Sequence, residues 1–369
     1  MKWLTRVIIA AAFVVQMLVM WPSGSRYCAG NRCGDYYWGV HEHDGIWHMA
    51  LAETAFEKGS LQMPTFAGEE LTGYNWLIDY PLSLLSKIGI PAQFSYFKLL
   101  PTIWFVLMIW VWRKFANQYK PGDERYFQWL LFWLFFSNSL SYVFTLWHFG
   151  TLVGSSSYIA MQPPMMLINL QFAYTLPILG YILLILGKVK KNSYDNLVIA
   201  LLLFIAMGLK FYGGAVLLAL IVVHSLLFKN WKRIAYAITA IVLAVVLFYQ
   251  PKVGQGAIMS FNPMATVYPI IEEKSLFYFP KLALAIFVVF NFATRLIALF
   301  GWKKWDRYEW SIMISVIVAL GANVLLVQRG EWWNTVQFLY YGFFLIAILA
   351  AKQLSEWSSK SRWVGVIVG

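Results

Sequence analysis

The chain has 369 residues, of which 60% are hydrophobic and only 12% are charged, and its formal net charge is +12. Soluble domains contain about 25% charged residues, so this composition excludes a water-soluble globule and indicates a membrane protein. The basic residues occur in short clusters between apolar spans, not on one soluble face. That distribution argues against nucleic-acid binding and instead indicates membrane topology.

Apolar segments of near-spanning length recur along the whole chain. A helix that crosses a bilayer needs about 20 apolar residues, and this template predicts about ten spans. The predicted fold class is therefore an all-α, polytopic transmembrane helix bundle with a long first extracytoplasmic loop. The predicted spans are 7–21, 100–112, 127–147, 165–187, 195–210, 213–228, 234–250, 281–300, 310–327 and 335–351.

The distribution of Lys and Arg predicts how these spans are oriented. With a cytoplasmic N-terminus, the inner segments hold 18 of the 29 Lys and Arg residues. Cytoplasmic loops carry such an excess, so we expect residues 22–99 to form the extracytoplasmic loop. The chain then divides into an anchor at 1–21, this first loop, and a remaining bundle at 100–369. The final WVGVIVG resembles the start of another span, which favours a C-terminal truncation.

Two cysteines, Cys28 and Cys33, lie near the start of the first loop and are the only cysteines in the chain. A disulfide is allowed outside the cytoplasm, and this spacing could close a small ring. Two unrelated thiols are the alternative, and the sequence leaves the choice open. Zinc binding is disfavoured, because no second pair of Cys or His ligands accompanies them.

The first loop holds eight of the seventeen acidic residues and is also rich in aromatic and aliphatic side chains. A connection of this length is usually functional or disordered, and the apolar content disfavours disorder. Hydrophobic periodicity predicts two amphipathic helices, at 45–58 and 80–87, with apolar faces suited to the membrane interface. In the first helix, Trp47, Leu51 and Ala55 form one apolar stripe.

Residues 41–48, HEHDGIWH, place three of the five histidines beside two acidic residues. Asp44 precedes the first amphipathic helix and His48 follows four residues later, so both share a helix face. Asp44 is either an N-cap of that helix or a general base at the membrane surface, with His48 orienting it or binding an anion. A metal site built on His41, His43, Asp44 and His48 is a third alternative, although this spacing is no strong signature.

Lys210 and Arg329 are the most informative charges elsewhere on the predicted outer side. Lys210 lies in GLKFYGG between two spans, where a charge is costly and usually functional. Arg329 lies just before the last predicted span. Basic residues that face a cavity at the membrane surface would suit a lipid phosphate. The alternatives are snorkelling of Lys210 to the outer headgroups and a local pair of Arg329 with Glu331.

This layout resembles the GT-C superfamily of membrane glycosyltransferases. The shared features are a short cytoplasmic N-terminus, one span, and a long helical first outer loop with an acidic residue near its start. The matching pieces are HDGIWHMALAETAFEKG, TGYNWLIDYPLSLL, GLKFYGG and FNPMATVYPIIEEKSLFYFP. The resemblance covers most of the chain.

The resemblance implies transfer of a sugar from a polyprenyl-phosphate donor to a lipid, glycan or protein acceptor at the extracytoplasmic face. Asp44 would be the base for the acceptor hydroxyl, His48 would help to hold the acceptor or the phosphate, and Asp79 would be a supporting carboxylate. Lys210 and Arg329 would neutralise the departing lipid phosphate. Some relatives carry a DE or DD pair where this chain has DG. No cofactor is therefore required by the sequence, and a divalent metal is left open.

A transporter or lipid flippase without covalent chemistry is the main alternative. Transporters usually bind their substrate at mid-bilayer through broken helices and paired intramembrane charges. Here Arg295 is the main charge inside a predicted span, and the polar groups gather at one outer surface. That distribution favours an interfacial enzyme. A purely structural membrane scaffold is a third alternative, against which the acid-rich loop argues.

Overall fold

In the part of the chain that the structure describes, the computed structural model is all-α apart from two short two-stranded sheets. Within the described residues, six helices are long and apolar enough to cross a membrane. The all-α class and the membrane-helix character are thereby confirmed, while the count of about ten spans stays a prediction. The structure describes residues 3–56, 61–66, 68–137, 139–140, 143, 146, 150, 166–167, 169–188, 192–249, 259–267, 280–329 and 332–360.

The helices follow the predicted spans closely. In chain order they are α1 (Trp3–Met20), α2 (Asp44–Ala50, continued by a π-helical turn at Leu51–Ala55), α3 (Asp79–Lys87), α4 (Ala92–Tyr119), α5 (Glu124–Phe135), α6 (Leu170–Leu186), α7 (Ser193–Leu209), α8 (Phe211–Leu227), α9 (Trp231–Tyr249), α10 (Pro280–Lys304), α11 (Arg307–Leu325) and α12 (Val336–Lys360). The six long apolar helices are α1, α4 and α9 to α12. Helices α6, α7 and α8 are apolar but have 17 residues each.

The span predicted at 127–147 corresponds to α5, which has only 12 residues. A helix of that length rises about 18 Å, which is well short of the ~30 Å hydrocarbon core of a bilayer. Only single positions are described between 141 and 150. The described part of this segment therefore does not form the full span that hydropathy predicted.

Helix α12 lies at the centre of the bundle and α1 lies at its edge. In α12, 94% of the apolar window is buried inside the protein, against 28% in α1. The largest fully enclosed side chains include Trp104 and Trp112 of α4 and Trp133 of α5. Peripheral helices such as α1 and α9 instead expose apolar side chains, as expected of surfaces that face lipid.

One end of the bundle, which we name the basic end, gathers the Lys- and Arg-rich helix termini. It comprises residues 119–125, 186–188, 227–233, 304–309 and 352–358. Hydrogen bonds join these termini: Tyr119 donates to the Glu309 carboxylate, which also accepts from Lys352 at 2.5 Å. The hydroxyl of Tyr308 donates to the Leu183 carbonyl at 2.9 Å. These contacts bring together the segments for which a cytoplasmic location was predicted.

The opposite end, which we name the loop end, carries the first loop together with residues 208–212 and 325–329. Backbone hydrogen bonds fasten the loop to the bundle. The Gly73 amide donates to the Tyr249 carbonyl at 3.1 Å, and the Leu77 amide donates to the Gly208 carbonyl at 3.2 Å. The segment before α3 is therefore fixed against the ends of α7 and α9.

The first loop begins with an exposed antiparallel hairpin. Strands β1 (Ser25–Ala29) and β2 (Arg32–Tyr36) pair in a register that sets Cys28 opposite Cys33, and the two form a disulfide. The choice that the sequence left open is thereby decided in favour of the disulfide. The second sheet lies at the same end and pairs β3 (Met259–Phe261) with β4 (Leu326–Gln328).

The two predicted amphipathic helices are present as α2 and α3. The stripe predicted in the first is confirmed: Leu51 and Ala55 are fully buried, with Trp47 packed beside them. Their partner is Leu71 of the same loop, so this apolar face covers protein rather than a free membrane-facing surface. The end predicted at Lys58 and Gly59 lies outside the described residues.

Candidate functional site

Asp44 is the first residue of α2, and its carboxylate is partly exposed. Its side chain retains 39% of its accessible surface and accepts a hydrogen bond from Nδ1 of His43 at 3.0 Å. The predicted alternative that Asp44 is the N-cap is wrong, because His43 precedes the helix in a helical conformation and no side chain caps it. The carboxylate is therefore not occupied by helix amides.

Gly45 explains how this carboxylate is held so close to the bundle. A Cβ atom at Gly45 would lie 2.6 Å from Cζ of Phe97 in α4, a distance that no real side chain tolerates. Only glycine therefore lets the start of α2 touch α4 at this point. The Gly that follows this acidic residue therefore has a packing role.

His48 is buried and bonded to α3 instead of sharing an exposed face with Asp44. Its Nδ1 lies 2.9 Å from Oδ1 of Asp79, and both side chains are nearly or fully enclosed. The imidazole ring stacks on Tyr96 at a centroid distance of 5.8 Å. The helical spacing correctly placed His48 one turn after Asp44, but its partner comes from a different helix.

Gln171 of α6 completes the surroundings of the imidazole. Its Nε2 lies 2.6 Å from Nε2 of His48, and the Tyr74 hydroxyl lies 3.4 Å from the same ring nitrogen. The same Gln171 nitrogen also lies 2.8 Å from Nδ1, so it is the Asp79 acceptor at Nδ1 that favours the tautomer with its proton on that nitrogen. The imidazole thus links α2, α3 and α6 through one ring.

Burial controls the protonation of this cluster. Burial raises the pKa of the Asp79 carboxyl, and the neighbouring His48 opposes the rise. Oδ2 of Asp79 is buried and has no hydrogen-bond partner among the described residues. Burial likewise raises the pKa of the Tyr74 hydroxyl, with Asp79 and Asp44 adding to the rise. An acidic and aromatic cluster therefore surrounds the start of α2.

Lys210 is the single extended residue between α7 and α8. Its φ of −157° and ψ of 118° end one helix and begin the next. Its amide donates to the Ala206 carbonyl at 2.8 Å, and its carbonyl accepts from the Gly214 amide at 3.0 Å. A Cβ at Gly214 would meet the Sδ atom of Met207 at 2.2 Å, so glycine permits this tight connection.

Lys210 lies within range of the charge of Asp44, although no ion pair joins the two side chains among the described residues. Burial lowers the pKa of Lys210 to about 8, and the negative charge of Asp44 opposes that fall. Across the described part of the chain, no hydrogen bond or ion pair engages this ammonium group. Asp44 and Lys210 are 166 positions apart in the sequence, and the fold therefore brings two of the predicted site residues within range of each other's charge.

Arg329 lies at the same end, just after β4, and is exposed. The preceding residue, Gln328, accepts a hydrogen bond from Tyr212 near the start of α8, which ties this strand to the Lys210 connection. The alternative partner Glu331 lies outside the described residues. The structure therefore brings Arg329 to the loop end without a described contact to Asp44.

The remaining histidines do not assemble around a metal. His41 is fully buried, with Nδ1 2.8 Å from the Ser23 hydroxyl, and burial lowers its pKa to about 4. The side chain of His43 is 89% exposed. Among the described residues there is no group of three His, Cys, Asp or Glu side chains that could hold a metal ion.

Sequence reasoning missed Gln171, Tyr74 and Tyr96, which surround His48. A signal existed only for Gln171, which is an amide near the start of a predicted apolar span, in LQFAYTL. Polar side chains inside a predicted span usually have a partner. The two tyrosines carried no comparable signal, because aromatic residues are frequent throughout this chain.

No family model matches this chain, and no curated protein or solved structure matches it either.

Proposed function

We propose that the chain is a membrane glycosyltransferase of the GT-C kind, which moves a sugar from a polyprenyl-phosphate donor to an acceptor at the extracytoplasmic face. The observation that carries the proposal is a partly exposed Asp44 carboxylate at the loop end whose charge acts on the Lys210 ammonium without forming an ion pair with it. Transfer from a lipid phosphate needs a base and a cation in the same site. The acceptor is a lipid, a glycan or a protein.

The chemistry assigns one role to each charge. Asp44 takes the proton from the acceptor hydroxyl, whose oxygen attacks the anomeric carbon of the donor sugar with inversion. The bond from that carbon to the phosphate oxygen breaks, and polyprenyl phosphate leaves with the electron pair. Lys210, with Arg329 at the same end, neutralises the charge that develops on the phosphate. No step requires a metal.

His48 and Asp79 act in this proposal as positioning residues. Their side chains are buried and bonded to each other and to Gln171, so direct contact with a substrate is disfavoured. The link fixes α2 relative to α3 and α6, and thereby fixes the direction of the Asp44 carboxylate one turn away. This role differs from the direct substrate contact that the family resemblance implied for His48.

A transfer assay in membranes tests the proposal. Radiolabelled polyprenyl-phosphate sugars are supplied to membranes that contain the wild-type chain, Asp44→Asn or the control Glu53→Gln, which removes an exposed acid from the same helical segment. We expect labelled product with wild type and control. Asp44→Asn should lower transfer by about 10²–10⁴-fold, which is the usual contribution of a general base. Equal transfer by Asp44→Asn at equal expression would contradict the assignment of the base.

The transporter alternative has one supporting observation. Arg295 is fully buried within α10 and donates to the Ser137 carbonyl at 2.7 Å, and buried intramembrane charges often mark transport pathways. The same preparations decide between the two functions. Movement of a labelled lipid-linked sugar across liposomes, with no donor consumed, would favour the transporter and overturn the transferase.

A further inference from the structure

A cavity of about 550 Å³ opens at the basic end of the bundle, opposite the candidate transferase site. The ends of α4, α6 and α8 and segments of α11 and α12 surround it. One part of its wall is aromatic and aliphatic and is formed by Phe115, Tyr119, Leu186, Phe228 and Tyr308. The cavity therefore lies where helix ends meet, and it offers an aromatic surface beside polar and charged groups.

Positive charge dominates the polar part of this lining. Three lysines, Lys120, Lys188 and Lys352, line the cavity against two acids, Asp306 and Glu309. The cavity thus combines apolar walls with an excess of ammonium groups. A ligand that matches it needs an anionic group next to an apolar body.

The two acids are already engaged within the protein. One oxygen of Glu309 accepts from Tyr119 and from Lys352, and the other accepts from the Asp306 amide at 3.1 Å. Asp306 in turn accepts from the Glu309 amide at 2.8 Å and caps α11. Glu309 is therefore neutralised by Lys352, and Asp306 is held by the backbone as the cap of α11.

The two remaining lysines lie at the rim and keep donors available. The ammonium of Lys188 is 2.8 Å from Asp195, and that of Lys120 is 3.4 Å from Glu356. The two lysine side chains are 38% and 31% exposed, respectively. Because an ammonium group carries three hydrogens, each can bind a further oxygen without breaking its ion pair.

We propose that this cavity binds a phosphate group, as carried by the headgroup of an anionic membrane lipid. Basic pockets between transmembrane helices at the cytoplasmic side are suited to such headgroups. The rim lysines would hold the phosphate oxygens, and the aromatic walls would receive the glycerol and the upper acyl chains. The site is separate from the proposed transferase site, because every lining residue belongs to the basic end or to the turn of α4 that precedes it.

Ligand-dependent stabilisation of the purified full chain tests this site. The midpoint of thermal unfolding is measured in nanodiscs of phosphatidylcholine alone, in nanodiscs that also contain phosphatidylglycerol, and in phosphatidylcholine with added inorganic phosphate. A ligand that binds only the folded protein raises the midpoint. We expect phosphatidylglycerol to raise it, and a rise with inorganic phosphate alone would identify a soluble phosphate compound as the source.

Matched variants separate the cavity from general surface charge. Lys120→Gln with Lys188→Gln removes the rim charges, and we expect the apparent affinity for phosphatidylglycerol to fall about tenfold or more. Lys303→Gln with Lys304→Gln removes two exposed charges at the same end that do not line the cavity, so binding should persist. Lys120→Arg with Lys188→Arg keeps both charges and should retain binding.

Two results would overturn the proposal. One is the absence of any stabilisation of the wild type by either phosphatidylglycerol or inorganic phosphate. The other is an equal loss of affinity in the rim and control pairs, which would indicate non-specific attraction of the basic end to anionic surfaces.

Discussion

The two ends of the bundle use buried charge in opposite ways. At the basic end, Glu309 is almost enclosed and both of its oxygens accept hydrogen bonds, from Tyr119, Lys352 and the Asp306 amide. At the loop end, the Lys210 ammonium engages no partner within the described ranges, and Asp79 leaves one oxygen unbonded there. The buried carboxylate of the basic end is thus fully hydrogen-bonded within the protein, whereas the Lys210 ammonium of the loop end is left available for a ligand.

The free-energy cost of removing an ionised group from water explains why this difference between the two ends matters. An ionised group away from water costs several kcal/mol unless it is paired and hydrogen-bonded. A fold retains an incompletely paired cation or carboxylate mainly where a substrate will complete the pairing. The contrast therefore supports the loop end as the reactive end.

The largest stability effect is expected at the basic end. Glu309→Ala removes the acceptor shared by Tyr119 and Lys352 and leaves a buried ammonium uncompensated, so the free energy of unfolding should fall by about 3–5 kcal/mol. Glu356→Gln is the matched control, since its ion pair with Lys120 is partly exposed and should be worth less than about 1 kcal/mol. Thermal or denaturant unfolding in detergent measures both. Equal stability of the Ala variant and the control would remove the contrast between the ends.

At the loop end the largest expected effect is on rate. Lys210→Ala removes the cation beside Asp44, and sugar transfer per folded protein should fall by about 10²–10³-fold, as when one stabilising charge or donor is removed from an active site. Lys210→Arg keeps the charge and should retain more activity than the Ala variant. Steady-state transfer rates measure the effect. Full activity of Lys210→Ala would exclude the proposed role of this lysine.

The pH dependence of sugar transfer by the wild type is a second test of the role of Lys210. Because the pKa of Lys210 is lowered to about 8, its charged form is lost above that pH, and we expect the transfer rate to fall there. Stability should move the other way and rise between pH 8 and 10.5, because the unfolded state binds this proton more tightly than the folded state. In Lys210→Arg the charge persists, so the alkaline fall in rate should move to higher pH. An unchanged profile in that variant would assign the fall to another group.

A smaller effect is expected from the buried His48–Asp79 contact. Asp79→Asn keeps the shape but removes the charge that faces the imidazole, which should cost about 1–3 kcal/mol of stability. Transfer should fall less than in the Lys210→Ala variant, because Asp79 acts through position only. The exposed hairpin residue in Asp35→Asn serves as the control. A loss of rate as large as that of Asp44→Asn, with stability unchanged, would show direct participation of Asp79 in the chemistry.

The smallest effect is expected from the disulfide. Replacing Cys28 and Cys33 with Ser should destabilise the exposed hairpin by about 2 kcal/mol, the entropic scale for a small closed loop. The transfer rate should stay unchanged, since the hairpin residues are not part of the candidate site. Hydrogen exchange of the hairpin amides against the rest of the chain measures this local loss. A large loss of transfer would assign the hairpin to the site.

Much of the fold could be predicted because hydrophobic length and periodicity are local properties. The apolar segments predicted at 195–210 and 213–228 form helices α7 and α8 within a few residues, and Leu51 and Ala55 of the predicted stripe are buried with Trp47 packed against them. The N-cap prediction for Asp44 was wrong because a 3₁₀ turn at Gly39–Glu42 precedes the helix, so that the Trp47 amide already bonds to the His43 carbonyl.

The contacts of the site could not be predicted, because they join distant parts of the sequence. Helical spacing predicts the face of α2 on which His48 lies, but it cannot predict which residues of other helices contact that face. The two hydrogen-bonding partners of His48 are Asp79, which is 31 positions away, and Gln171, which is 123 positions away. The sequence did indicate Asp44 and Lys210 as separate charges. The two charges come close together only in the folded chain. There Gly45 packs against Phe97, and Gly214 packs against Met207.

The most direct test of the central claim is the rate of sugar transfer by purified Asp44→Asn, measured beside Glu53→Gln with equal amounts of folded protein. If the loop end is the reactive end and Asp44 is its base, the Asn variant should lose about 10²–10⁴-fold in transfer while it unfolds at the temperature of the wild type. The Gln control should transfer at the wild-type rate. Equal rates for Asp44→Asn and Glu53→Gln would contradict the account.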